Sequence, residues 1–207
     1  MSELSGGSKL PFSFYQDQDV NALAAALLGR LLMTCIDGAL TGGIIVETEA
    51  YKGVEDKASH AYGGRFTERT KTMYGPGGTS YVYLCYGIHH LFNVVTAPEG
   101  IPHAVLVRGL EPVDGLDIML TRRKMAALKP NLTAGPGALA QALGINRGTN
   151  AKELWGEEIW IEDRGIRFTE EQVMAGPRIG VAYAGDHALL PWRYYVKGNR
   201  FVSKPNR

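Results

Sequence analysis

The sequence predicts an α+β fold, a single domain in which a largely antiparallel, hairpin-rich sheet is joined by a few helices. Three observations carry this reading. Short apolar or alternating runs recur along the chain, separated by turn signals at Asp37-Gly38, Tyr86-Gly87 and Pro98-Glu99-Gly100. Helical spacing occurs only near residues 20–31, 114–127 and 136–143. No repeat, low-complexity tract or linker divides the 207 residues, a length suited to one large domain.

Taken in order, residues 1–18 begin Ser/Gly-rich and are expected to form a flexible N-terminal segment, with the folded domain spanning 19–207. Asp19 can cap a helix whose stripe runs through Val20, Leu23, Ala24, Leu27, Leu28 and Leu31, with Gly29 placed to end it. Leu31 to Ile36 reads as a strand. Asp37-Gly38 turns it back into a second strand over Gly43–Tyr51. After Arg65 a polar stretch suits a short helix, followed by the loop Gly75-Pro76-Gly77-Gly78. Thr79 to Tyr86 alternates, with Tyr81 and Tyr83 on one face and Val82 and Leu84 on the other. Ile88 to Ala97 returns, so Tyr86 falls at a hairpin tip. Ala104 to Arg108 is a short buried strand, Asp114 to Ala127 a helix, and Gly135-Pro136-Gly137 opens another helix through Leu143, stopped by Gly144. Further strands are expected at Ile159–Ile161, Ile166–Phe168, Ile179–Tyr183 and Tyr194–Val196.

Composition sets bounds on function. A hydrophobic content of 45% allows a substantial core, and a net charge of +1 does not by itself announce nucleic acid. Acidic residues concentrate between Glu153 and Glu171, which leaves room for one acidic and one basic face. Cys35 and Cys85 lie in apolar runs and read as buried thiols of a reducing compartment. There is no membrane-length apolar run and no signal-peptide core, so an intracellular, soluble, cytoplasmic protein is expected.

Chemistry concentrates in Ile44–Arg65. Glu47, Glu49 and Tyr51 alternate and share one strand face, roughly 6.5–7 Å apart, and His60 follows nine residues after Tyr51. With Tyr83, Glu49 becomes a candidate general base beside rings able to hold a flat, cationic ligand. Taken alone, the segment fits an exposed strand edge with ordinary carboxylates better. Tyr86 at the hairpin tip suits a wedge between base steps, and a tip folded back on the sheet fits equally well. Gly135-Pro136-Gly137 offers free N–H groups to an anion, or simply starts a helix. His89 and His90 face opposite ways and cannot chelate one metal together. No metal site is read.

In combination these residues closely resemble the alkyladenine (3-methyladenine, methylpurine) DNA glycosylase family, in its short bacterial form. The resemblance rests on Val46-Glu-Thr-Glu-Ala-Tyr51, Glu55-Asp56 through His60, Gly63-Gly64-Arg65, Gly78-Thr-Ser-Tyr-Val-Tyr83, Tyr86-Gly87, Asn93, Arg108-Gly-Leu-Glu-Pro112, Leu132-Thr-Ala-Gly-Pro-Gly137, Ala142-Leu-Gly-Ile145 and Arg178-Ile-Gly-Val181. It implies a curved, mostly antiparallel sheet flanked by helices, with a protruding β-hairpin. It also implies a monofunctional enzyme that flips damaged purines from double-stranded DNA and hydrolyses the N-glycosidic bond. The purines would be 3-methyladenine, 7-methylguanine, hypoxanthine and ethenoadenine. By position, Glu49 would activate water, with Arg108 and the backbone near Ile179 placing it. Tyr51, His60 and Tyr83 would sandwich the base, and Asn93 would disfavour guanine. Tyr86 would fill the gap in the duplex. Ile88 and His89 beside it, and Gly135 and Gly137, would touch DNA. Ala138 stands where a lysine is common in the family, and Ile88-His89 differs from the Met-Tyr of the mammalian form. A monomer without cofactor is expected. A silent modified-base binder and a nucleoside hydrolase are the alternatives, and Glu49 and Tyr86 respectively argue against them.

Overall fold

The computed structural model describes residues 7–203. In chain order the elements are β1 (Ser8–Lys9), α1 (Val20–Ala26), β2 (Leu31–Ile36), β3 (Ala39–Tyr51), β4 (Ser80–Cys85), β5 (His89–Thr96), β6 (His103–Asp114), α2 (Leu116–Arg123), α3 (Pro136–Leu143), β7 (Ile159–Asp163), β8 (Val173–Gly176) and β9 (Arg193–Val196). Short 3-10 turns punctuate the connections. All nine strands join one curled antiparallel sheet in the order β1-β7-β2-β3-β6-β5-β4, with β9 added to β3 and β8 to β9.

β3 organises the sheet. Its first half pairs with β2 and its second half with β9, while β6 runs along its other edge. Register shifts against β6 fall on either side of Glu47. Such irregularities bend a strand and re-aim its side chains. Here the bend delivers Glu47 and Glu49, both fully buried, to the concave side.

α1 begins as expected. The Asp19 carboxylate accepts from the N–H groups of Asn21 and Ala22, both at 3.0 Å. Gly29, at φ +85°, turns the chain toward β2. A Cβ there would stand 2.8 Å from the Ile166 carbonyl oxygen, so both conformation and space demand glycine. Leu23, Leu27, Leu139 and Leu143 join Phe92, Val107 and Leu110 in the main core. Tyr81 belongs to a second, smaller cluster, while Val82 faces the main one, so alternation along β4 sorts its two faces as expected.

Several expectations are corrected. Only residues 1–6 of the expected flexible segment 1–18 lie outside the described residues. Beyond them β1 pairs with β7 and Tyr15 is fully buried. The helix expected over 114–127 shrinks to α2, because Asp114 belongs to β6 and Lys124 adopts a left-handed φ of 52°. α1 ends at Ala26, so Leu31 serves β2 alone. The strand expected at 104–108 extends over the whole of β6. Ile166–Phe168 and Ile179–Tyr183 are not strands. Gly180, at φ +78°, breaks the second run, and a 3-10 segment starts at Ala182. β1 and β8 carry no pattern long enough to read. Both cysteines are half-buried, not buried. The acidic stretch is no uniform face either. Lys9 pairs with Glu157, Lys152 with Glu158, Arg164 with Glu162, and Arg30 and Arg167 with Asp163. Lys204 and Arg207 of the expected basic surface lie outside the described residues.

Candidate active site

The concave side holds a cleft of about 1030 Å³ between the β4–β5 hairpin, the start of α3 and the loop after β8. Glu49, on β3, sits just behind the cleft wall, in contact with Tyr51, Arg108 and Ile179, which line it. One carboxylate oxygen accepts the Ile179 N–H at 2.7 Å and lies 3.4 Å from Arg108 Nε. The other accepts the Tyr51 hydroxyl at 2.8 Å. Burial, reinforced by the neighbouring Glu49 charge, raises the Tyr51 pKa well above its ordinary value, so Tyr51 stays a neutral donor.

Arg108 is itself held from behind. Its Nε donates to Glu47 at 3.2 Å and its Nη2 to the Ser203 hydroxyl at 3.3 Å. Glu47 also accepts from Arg193 Nε at 2.7 Å and from the Ser203 N–H at 2.6 Å. Burial alone would lower the Arg108 pKa, but the Glu49 and Glu47 carboxylates raise it on balance.

The rings form an open corner, not a parallel stack. His60 and Tyr83 meet edge to face with centroids 4.7 Å apart. Tyr51 lies instead against Arg178, whose guanidinium carbon is 4.8 Å from its ring centre. His60 Nδ1 is 2.8 Å from the Tyr81 hydroxyl, and its Nε2 is 3.2 Å from Arg69 Nη2. A guanidinium can only donate, so Nε2 accepts and the ring proton sits on Nδ1. Burial, aided by Arg69 and Arg65, lowers the His60 pKa to about 4, so the ring is neutral at physiological pH. Asn93, 4% exposed on β5, lines the same cleft and donates to the Tyr81 carbonyl at 3.1 Å.

Arg178 is the residue that ties the corner together. Its guanidinium donates to both oxygens of buried Asp56 and to the Ala50 carbonyl, sandwiched between Tyr51 and Trp192. Burial pushes the Asp56 carboxyl up. The Arg178 bonds and the Ala58 and Lys52 N–H groups outweigh that and hold it below its ordinary range. The next residue, Ile179, supplies the N–H on Glu49.

At the mouth of the cleft, Tyr86 is 92% exposed with φ +50° in the loop joining β4 to β5. Ile88 is 72% exposed beside it. His89 packs on α3, where a Cβ on Gly137 would come within 2.9 Å of its ring. Glycine there lets the hairpin rest on the first turn of α3. The Gly135 N–H is already donated to the Arg108 carbonyl at 2.9 Å, which leaves the Gly137 and Ala138 N–H groups for an anion. Among the described residues no group of three or more His, Cys, Asp or Glu could hold a metal, and no helix is long and apolar enough to cross a membrane.

Reasoning from residue chemistry missed Glu47 as an anchor of Arg108. It also missed Arg193 and Ser203 behind it, the Asp56–Arg178 pair and Arg69. Except for Arg69, which meets His60 nine residues earlier, their partners lie far away in sequence, so no local spacing points to them. Arg178 did fall within a motif of the resemblance, but without a role.

A family model described as Methylpurine-DNA glycosylase (MPG) matches residues 13–200. A Bacillus cereus (strain G9842) protein named "Putative 3-methyladenine DNA glycosylase" is 48% identical over 203 residues, covering 94% of this chain and 98% of its own length. A Bacillus cytotoxicus protein of the same name is 45% identical over 204 residues, covering 95% of this chain and 100% of its own.

Proposed function

Because the chain belongs to the methylpurine-DNA glycosylase family, a family of hydrolases acting on N-glycosyl bonds in DNA, we propose that its cleft receives a damaged purine flipped out of duplex DNA and that Glu49 drives the hydrolysis. The observation that carries this reading is the placement of Glu49. It is fully buried directly behind the wall of an aromatic cleft, with the Ile179 N–H, the Tyr51 hydroxyl and Arg108, all of them lining residues, around its carboxylate. Such a group is fixed in orientation and can accept a proton from one water aimed at the sugar. The new C1′–oxygen bond forms as the N-glycosidic bond breaks, and its electron pair leaves with the purine. The carboxylate also stabilises positive charge developing on the sugar.

Tyr51, His60 and Tyr83 enclose the base, Asn93 abuts its edge, and Tyr86 fills the vacated stack. Ile88, His89 and the α3 start with Gly135 and Gly137 face the DNA. The substrates on this reading are 3-methyladenine, 7-methylguanine, hypoxanthine and ethenoadenine, and the protein works as a monomer. No lysine is among the groups around Glu49 described above, so simple hydrolysis without strand cleavage follows. The test is release of free base from a duplex carrying one lesion, run beside the free nucleoside. Release from the duplex supports the reading. Release from the nucleoside alone favours a nucleoside hydrolase, and tight binding without release a silent binder.

Two expected outcomes attach to individual residues. Asn93→Ser enlarges the wall beside Tyr81 and should raise release of undamaged guanine above the parent rate, because a clash that rejects a base is removed. Guanine release no greater than the parent's counts against the Asn93 role. Tyr86→Ser should slow excision from duplex by roughly 5- to 150-fold, matching an aromatic–base stack of about 1–3 kcal/mol. Excision from a single strand, which has no stack to rescue, should change much less. Single-turnover release from matched strands, with flipping followed by ethenoadenine fluorescence, reads the difference. Equal slowing of both substrates would make Tyr86 a structural tyrosine.

A further inference from the structure

On the reading just given, we propose that Arg69 sets the charge preference of the base pocket, disfavouring purines that enter as cations relative to neutral ones. Arg69 reaches from an exposed loop into the ring corner. Its guanidinium carbon stands 4.8 Å from the Tyr83 ring centre and its Nη2 3.2 Å from His60 Nε2. It therefore covers a face of one ring and the edge of another, both of them walls of the cleft.

The charges around the cleft are unevenly compensated. On the Glu49 side every arginine faces a carboxylate: Arg108 and Arg193 face Glu47, and Arg178 faces Asp56. On the His60 side, Arg69 takes part in none of the ion pairs found among the described residues. None of His60, Tyr81 and Tyr83 carries a carboxylate, so no ion-pair partner for the guanidinium stands in the ring corner among the described residues. A base entering beside Tyr83 meets the positive charge that lies against that ring. A purine alkylated at N7 brings its own positive charge to that point, whereas hypoxanthine does not.

The aromatic faces favour a cation and Arg69 opposes it, so removing the arginine should release a preference now held in check. Because Arg69 is exposed, solvent screens the repulsion, and an effect of about three- to tenfold is appropriate. Arg69→Gln keeps a polar, hydrogen-bonding side chain without charge. Arg69→Lys keeps the charge without the planar fork.

The experiment measures single-turnover release of 7-methylguanine and of hypoxanthine from the same duplex sequence, for the parent protein, R69Q and R69K. The expected result is a 7-methylguanine to hypoxanthine rate ratio about fivefold above the parent's in R69Q, and near the parent's in R69K. An unchanged ratio in R69Q overturns the proposal. So does an R69K ratio equal to that of R69Q, since stacking and not charge would then be at work. A third result against it is an equal loss on both lesions with weaker duplex binding and a shallower salt dependence, which marks a phosphate contact. If the parent releases neither base, the glycosylase reading fails and this proposal falls with it. A ratio that does not move while both bases are released refutes the role of Arg69 alone.

Discussion

Glu49→Gln is expected to slow single-turnover base release by two or more orders of magnitude, within the ~10²–10⁴ that a positioned general base contributes. The substitution is close to isosteric, and the surroundings can accept it. The oxygen now facing the Ile179 N–H and Arg108 remains an acceptor as the amide carbonyl. The amide nitrogen replaces the oxygen that accepts from Tyr51, and the phenol can turn to accept in its place. Cleft shape, ring geometry and lesion binding should therefore persist while the proton acceptor is gone. Binding is followed by ethenoadenine fluorescence and chemistry by released base. Near-parent turnover with an intact fold would remove Glu49 from the mechanism.

The reach of the sequence differs between scaffold and site, for physical reasons. β2, β3, β4 and β5 were legible because period-two alternation and turn residues such as Asp37-Gly38 and Tyr86-Gly87 are local signals. α1 was legible in its cap and its stripe, though its last turn was overestimated because Leu31 satisfies both a helical and a strand pattern. Ile179–Tyr183 misled for the opposite reason. Its apolar character serves packing of Val181 against Ala58, while Gly180 breaks the extended path. The result is a loop that presents one N–H to Glu49. Glu49, Tyr51, His60 and Tyr83 could be grouped from the sequence because strand geometry and the family resemblance converge on them. The supporting arginines could not, since Arg178 meets Asp56 and Arg193 meets Glu47 only after the sheet has curled.

The Asp56–Arg178 pair gives the second large effect, and it separates what holds the fold from what shapes the cleft. Both side chains are fully buried. Removing one member strands the other without a counter-charge, so Asp56→Ala should cost about 3–5 kcal/mol in urea unfolding. The pH dependence carries the same signature. The folded Asp56 carboxyl titrates below its ordinary value. Its contribution is therefore complete above the usual carboxylate range near pH 4, and it is lost as pH falls through the lower folded value. The Ala variant should lack that acid-side slope. Replacing both members with apolar residues, Asp56→Leu with Arg178→Met, removes the stranded charge and should recover a large part of the stability. It should not recover excision. The Arg178 guanidinium is the surface on which the Tyr51 ring rests, and its bonds to Ala50 and His187 hold the strand end and loop that bring Ile179 to Glu49. A double variant that is stable yet slow on every lesion would mark the pair as positioning residues. Full recovery of rate with stability would reduce it to a structural ion pair, with Ile179, Arg108 and Tyr51 orienting Glu49 without its help.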